Sequence, residues 1–255
     1  MTWPLPFYGF DWQYTFYHAA RMLLTGHNPY LVSTFNNPPW TLLPLIPFAL
    51  LPESIGTTLY FVFNVLAYAF VAHKLQARPL AFVAFMLSTP VLYGLYRLNI
   101  DALVLVGFVL PAPIGLFFVL MKPQMGFGMA IYWFVQAWKT GGIKKVALTF
   151  GPVVIVFGFS FLFFGNWITN RQPDLTAAIW NTSLWPWSIP IGLVFLAVSL
   201  RDMRQDFAMA ASPFISPYVA YYSWVGVLAG FLGDEYILVV AVVGMWMAQI
   251  VLFWH

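Results

Sequence analysis

Cysteine is missing from all 255 positions, and charged side chains are scarce, with Asp, Glu, Lys and Arg together making up 7% of the chain. The first absence excludes disulfides, thiolate metal sites and cysteine nucleophiles. The second excludes a water-soluble globule, because such domains carry roughly a quarter charged residues. Polar and apolar residues do not alternate as they would in strands of about 10 residues, which sets aside an outer-membrane barrel. Met1–Phe10 has neither a basic region nor an apolar core, so no cleavable leader is expected. The net charge of +3 comes from small clusters beside apolar runs. That pattern carries topology information, and no nucleic-acid partner is expected. Neither a metal nor a cofactor is expected.

What is present is apolar mass: 62% hydrophobic residues, 20% aromatic and a mean hydropathy of +0.81. The expectation is an all-α, polytopic integral membrane protein forming a single transmembrane domain over residues 1–255. It should have about 7–9 membrane segments, some short or broken, since a helix needs ~20 apolar residues to cross hydrocarbon. The runs lie at 54–72, 79–96, 98–121, 123–138, 146–165, 184–200, 207–232 and 236–254. Two are interrupted by proline, at Pro111-Ala112-Pro113 and at Ser212-Pro213 through Ser216-Pro217. Such breaks survive in membranes where protein or water satisfies the freed backbone groups, so they tend to line cavities.

Before these runs lies a loop, 11–38, expected to be external and to hold an interfacial amphipathic helix over Trp12–Thr25. Trp12, Phe16, Ala19, Ala20, Leu23 and Leu24 share one stripe, opposite Tyr14, Tyr17, His18, Arg21 and Thr25. Gly26 is a C-cap candidate. Pro39–Pro52 carries four prolines and predicts a re-entrant or broken helix. Asn181-Thr182-Ser183 matches a glycosylation sequon, a triplet that also arises often by chance.

Orientation follows from the bases. Lys139, Lys144 and Lys145 precede one span, and Arg201 with Arg204 follows the next, so the two clusters share a side, taken as cytoplasmic. If 98–121 is two half-spans meeting at Pro111 and Pro113, then Asp11, Arg97 and Lys122 all fall on the other side with the tryptophan-rich loop 166–183.

Six of the eight acids have plain roles. Asp202 and Asp206 accompany Arg201 and Arg204, Asp234 and Glu235 mark a turn, Asp174 lies near Arg171, and Glu53 opens a helix. Asp101 can cap a helix or pair with Arg97 at i, i+4. Asp11 can cap the 12–25 helix or act chemically. Intramembrane cations are costly, which singles out Lys122 between two apolar runs.

The order Asp11-Trp12, Tyr17-His18-Ala19-Ala20, Asn28-Pro29-Tyr30, Asn37-Pro38-Pro39-Trp40, Arg97-Leu98-Asn99 with Asp101, and Lys122-Pro123-Gln124 resembles the polyprenol-phosphate-mannose-dependent mannosyltransferases of the GT-C class. The likeness covers Phe10–Trp138. It implies a GT-C-like fold in the cell (inner) membrane or an equivalent one, with its site on the non-cytoplasmic face. It also implies transfer of a sugar from a polyprenyl-phosphate donor to an acceptor glycan or glycolipid. In that family an aspartate before an interfacial helix is the general base, and Asp11 occupies the matching position. Asn37-Pro38-Pro39 stands where the family has Tyr-Pro-Pro, only Asn99 remains of a Gly-Gln-x-Asn turn, and family members open with a spanning helix ahead of the aspartate.

A sugar phosphodiester already has a good leaving group, so one carboxylate and one or two cations suffice. On this reading Asp11 takes the proton and Lys122 and Arg97 hold the donor phosphate. Asn99, His18, His27 and Asn37 support them or bind the acceptor. Membrane lipids, the lipid-linked sugar and other membrane subunits are the expected partners. The alternatives are a non-catalytic GT-C-like subunit of a larger membrane complex, and a transporter of a lipid-linked sugar.

Overall fold

The computed structural model describes residues 8–169 and 177–253, and every regular element among them is helical. The expected proximity of Arg171 and Asp174 and the end of the last run at Trp254 lie outside the described residues.

Trp12–Tyr17 wind as wide π-helical turns that continue into α1 (His18–Leu24). Trp12, Phe16, Ala19 and Ala20 are buried, whereas Tyr14, His18 and Arg21 face outward, as the stripe predicts. Leu24 departs from it and is exposed. Gly26 follows at φ +75°. The proline-rich stretch folds as tight 3-10 turns, Pro39–Leu45, and a single α turn, α2 (Ile46–Ala49), too short to cross a membrane.

The long elements come next. α3 (Glu53–Lys74) is continuous over 22 residues, while α4 (Pro79–Met86) and α5 (Thr89–Arg97) meet at a 47° bend. α6 (Asp101–Val109) and α7 (Ala112–Val119) are separated at Pro111 and pack on each other as two half-length helices, so both outer ends return to one end of the molecule. Glycines permit this approach, since a Cβ on Gly115 would sit 2.5 Å from the Gly107 carbonyl oxygen.

α8 (Pro123–Phe164) contains two non-helical residues, Gly141 and Gly142, the second at φ 58°. A straight helix would separate Phe134 from Phe150 by roughly 24 Å at ~1.5 Å per residue, yet their rings lie 5.9 Å apart. The glycine pair therefore folds α8 into a hairpin whose two arms match the separate runs at 123–138 and 146–165. After α9 (Ala177–Trp180), α10 (Ile189–Asp202) and α11 (Gln205–Ile215) pack closely. A 3-10 turn, Tyr221–Trp224, then leads into α12 (Val225–Gly230) and the apolar α13 (Glu235–Phe253).

Among the described residues two helical stretches, α3 and the folded α8, are long and apolar enough to cross a membrane, and the bent α4–α5 pair makes a third candidate. Leu148, Val154, Ile155, Leu162 and Phe163 of the second arm of α8 are exposed, which suits hydrocarbon contact and not water. Lys139 donates to the Leu200 carbonyl at 3.1 Å, so the α8 hinge and the end of α10 share one end of the molecule, as the basic clusters predict. Asp11, Arg97, Asp101 and Lys122 gather at the other.

Candidate functional site

Asp11 reaches its position through a glycine. Gly9, at φ +74°, donates its N–H to the Tyr96 carbonyl at 2.8 Å and accepts from the Gln13 N–H, which ties the start of the first helix to the end of α5. The Asp11 side chain makes no capping bond. Its two oxygens instead accept from distant donors, Oδ1 from Arg97 Nη2 at 2.5 Å and Oδ2 from Asn99 Nδ2 at 2.6 Å. The capping role open to Asp11 is thus not the one adopted. The chain between the two donors makes the geometry possible. Leu98 adopts the left-handed conformation, φ 53° and ψ 52°, so the chain reverses after α5 and both of its neighbours address one carboxylate. That conformation costs a buried leucine about 1 kcal/mol, sustained by the packing around it. Asn99 is fixed further, its Oδ1 accepting from the Ile100 N–H at 2.7 Å and its carbonyl from Tyr60 at 3.2 Å.

Arg97 is 6% exposed and lies between the rings of Phe10 and Trp180, at 4.6 and 5.2 Å. Its Nε and Nη1 are buried without a hydrogen-bond partner among the described residues. A guanidinium offers five N–H donors in a rigid fork, and unmet buried donors are costly, so these two nitrogens retain donor capacity suited to an anion.

A second buried ion pair stands beside the first. Lys122 Nζ donates to Asp101 Oδ2 at 2.8 Å and to Ser223 Oγ at 3.3 Å, while Ser223 Oγ donates to Asp101 Oδ1 at 2.8 Å. Asp101 therefore pairs with Lys122, correcting the i, i+4 pairing with Arg97; the Leu98 reversal turns Arg97 away toward Asp11. Lys122, expected at a donor phosphate, has its ammonium engaged by Asp101 and Ser223.

The Tyr221–Trp224 turn joins the two pairs. Because successive side chains of a 3-10 turn point ~120° apart, three consecutive residues reach three targets: Tyr221 bonds Thr89 in α5, Tyr222 accepts from Asn99 at 2.9 Å, and Ser223 reaches Asp101. The Tyr222 ring also carries Lys122 Nζ 4.5 Å from its centroid. Tyr222 and Ser223 were not among the predicted site residues; their one signal was the Ser216-Pro217 break just before them.

The remaining candidates stand apart. Asn37 donates to the Met121 carbonyl at 3.0 Å and its carbonyl accepts from Tyr30 at 2.9 Å, packing the Asn-Pro-Pro turn onto the Lys122 turn. His18 and His27 are exposed, the His27 ring bonds the Thr25 hydroxyl, and among the described residues neither imidazole is hydrogen-bonded to Asp11 or Arg97. No group of three or more metal-type ligands occurs among the described residues. The sequon asparagine is engaged: Asn181 Nδ2 donates to the Pro217 carbonyl at 2.9 Å, and its Oδ1 accepts from the Val219 and Ser183 N–H groups.

Comparison with known protein families, with curated proteins and with solved structures finds no match. The GT-C resemblance therefore rests on the motif residues alone.

Proposed function

We propose that this chain is a GT-C-like membrane glycosyltransferase of about 7–9 membrane segments, moving a sugar from a polyprenyl-phosphate donor to an acceptor on the non-cytoplasmic face. The resemblance names mannose as the sugar. The single observation that supports the reading most is the meeting of Asp11 and Arg97, 86 residues apart, in a buried pair whose guanidinium keeps two nitrogens without a partner among the described residues.

In this scheme the donor phosphate docks on the spare donors of the Arg97 guanidinium. The acceptor hydroxyl oxygen attacks the anomeric carbon, the bond from that carbon to the phosphate oxygen breaks, and the hydroxyl proton passes to Asp11. Asn99 holds the other carboxylate oxygen and so keeps the base oriented. Arg97 stabilises the charge that grows on the departing polyprenyl phosphate. Lys122 neutralises Asp101 and so leaves Arg97 as the cation with donors to spare.

A second reading, a non-catalytic subunit of a membrane complex, is favoured by one observation: both Asp11 oxygens are already satisfied and the residue is 8% exposed. Sugar transfer by purified protein from a polyprenyl-phosphate-sugar donor separates the two. The enzyme reading expects Asp11→Asn to lower turnover by about 10²–10⁴-fold, the usual weight of a general base. Transfer unchanged by Asp11→Asn removes Asp11 as the base, and absence of transfer by the wild type with any donor leaves the subunit reading.

A further inference from the structure

At the end of the molecule opposite both ion pairs, a groove of about 250 Å³ opens along the first arm of α8, lined by Phe134, Val135, Trp138 and Lys139. Phe134 and Trp138 stack at 6.4 Å and 16° with their faces exposed, 44% and 54%. Lys139 marks the rim, its ammonium held by the Leu200 carbonyl and lying 3.5 Å from the Met203 sulfur. Across the glycine hinge Lys144 and Lys145 are exposed. A Cβ on Gly141 would meet the Lys145 Cβ at 2.8 Å, so the hinge brings Lys145 against the end of the first arm. None of the three lysines has an acid partner among the described residues. The acids of this end are committed elsewhere: Asp202 and Asp206 to Arg201 and Arg204, and Asp234 to the Ile237 N–H, with Glu235 opening α13.

An aromatic slot on the exposed apolar first arm of the α8 hairpin, with Lys139 at its rim and the exposed Lys144 and Lys145 across the hinge, suits one chemistry: an acyl chain carrying an anionic phosphodiester headgroup. We propose that this groove binds one anionic phospholipid, its chain against Phe134 and Trp138 and its phosphate against Lys139 and Lys145, with Lys144 adding charge. Basic pockets beside membrane helices recognise headgroups in this way. The proposal does not depend on sugar transfer.

Native mass spectrometry of the full chain in mild detergent, titrated with phosphatidylglycerol or with phosphatidylcholine of the same acyl chains, tests it. The wild type should retain a first phosphatidylglycerol in clear preference to phosphatidylcholine. Lys144→Gln with Lys145→Gln, which leaves the Lys139 bond to α10 intact, should lower that preference by roughly fivefold per lysine. Trp138→Ala should weaken both lipids alike. Helical circular dichroism of each variant confirms that it is folded. Equal retention of the two lipids by the wild type, an unchanged preference in the folded double variant, or displacement of phosphatidylglycerol by inorganic phosphate overturns the proposal.

Discussion

Asp101 is fully buried, and among the described residues its two oxygens are met by Lys122 and Ser223. Removing the cation from such a pair strands a buried charge. Lys122→Met should therefore destabilise the protein by about 3–5 kcal/mol. The double variant Lys122→Met with Asp101→Leu should recover most of that loss, read as unfolding midpoints in detergent around a double-mutant cycle. A double variant as unstable as the single one would show that the pair does not act as a unit. Tyr222→Phe keeps the ring under the Lys122 ammonium and removes only the hydroxyl that accepts from Asn99, so it should cost about 1 kcal/mol in the same assay. At this scale Asp11, Arg97, Asn99 and Lys122 were legible because charge and amide are rare in an apolar chain. Their pairing was not: it depends on a left-handed leucine between Arg97 and Asn99 and on a turn 123 residues beyond Asn99, neither of which leaves a local pattern.

Half-length helices pack only where backbones can touch. Gly115 faces the Gly107 carbonyl and the Trp133 ring, whereas Gly158, on the second arm of α8, has open space around it. Gly115→Ala should cost about 1–3 kcal/mol through overpacking. Gly158→Ala should instead be neutral or stabilising by about 0.5–1 kcal/mol, since alanine is the better helix former. Thermal unfolding of the two variants side by side checks both signs, and equal effects would contradict the packing argument. Element breaks were well marked in the sequence: Pro111 and Pro113 announce the α6–α7 pair, and the lysines around Gly141 and Gly142 announce the hinge of α8. The π turns at Trp12–Tyr17 and the 3-10 course of Pro39–Leu45 were not, because over six or seven residues the different periods of wide, tight and ordinary helices barely separate in a hydrophobic pattern.

For the molecule as a whole, the arrangement of ends makes a labelling prediction that the lack of cysteine makes clean. Leu31 and Ile143 are both well exposed, the first in the loop that packs toward the Lys122 turn and the second beside the α8 hinge. Leu31→Cys and Ile143→Cys should react with a membrane-impermeant maleimide from opposite faces of sealed vesicles. Reaction of both from one face would contradict the two-ended description. Grouping of the basic clusters anticipated one part of this division, that Lys139 and the end of α10 share one end of the molecule. Which helices would be neighbours was beyond it, since lipid-facing and protein-facing apolar residues look alike in a list.

The clasp between the two ion pairs also has a consequence for biosynthesis. Ser223 follows Lys122 by 101 positions and Asp101 by 122. At ~5–20 residues per second, a ribosome delivers the Tyr221–Trp224 turn some 5–20 s after the lysine has emerged. For that interval the carboxylate and the ammonium have each other but not the serine hydroxyl, and the end of the molecule that carries them closes only once the Tyr221–Trp224 turn has been made.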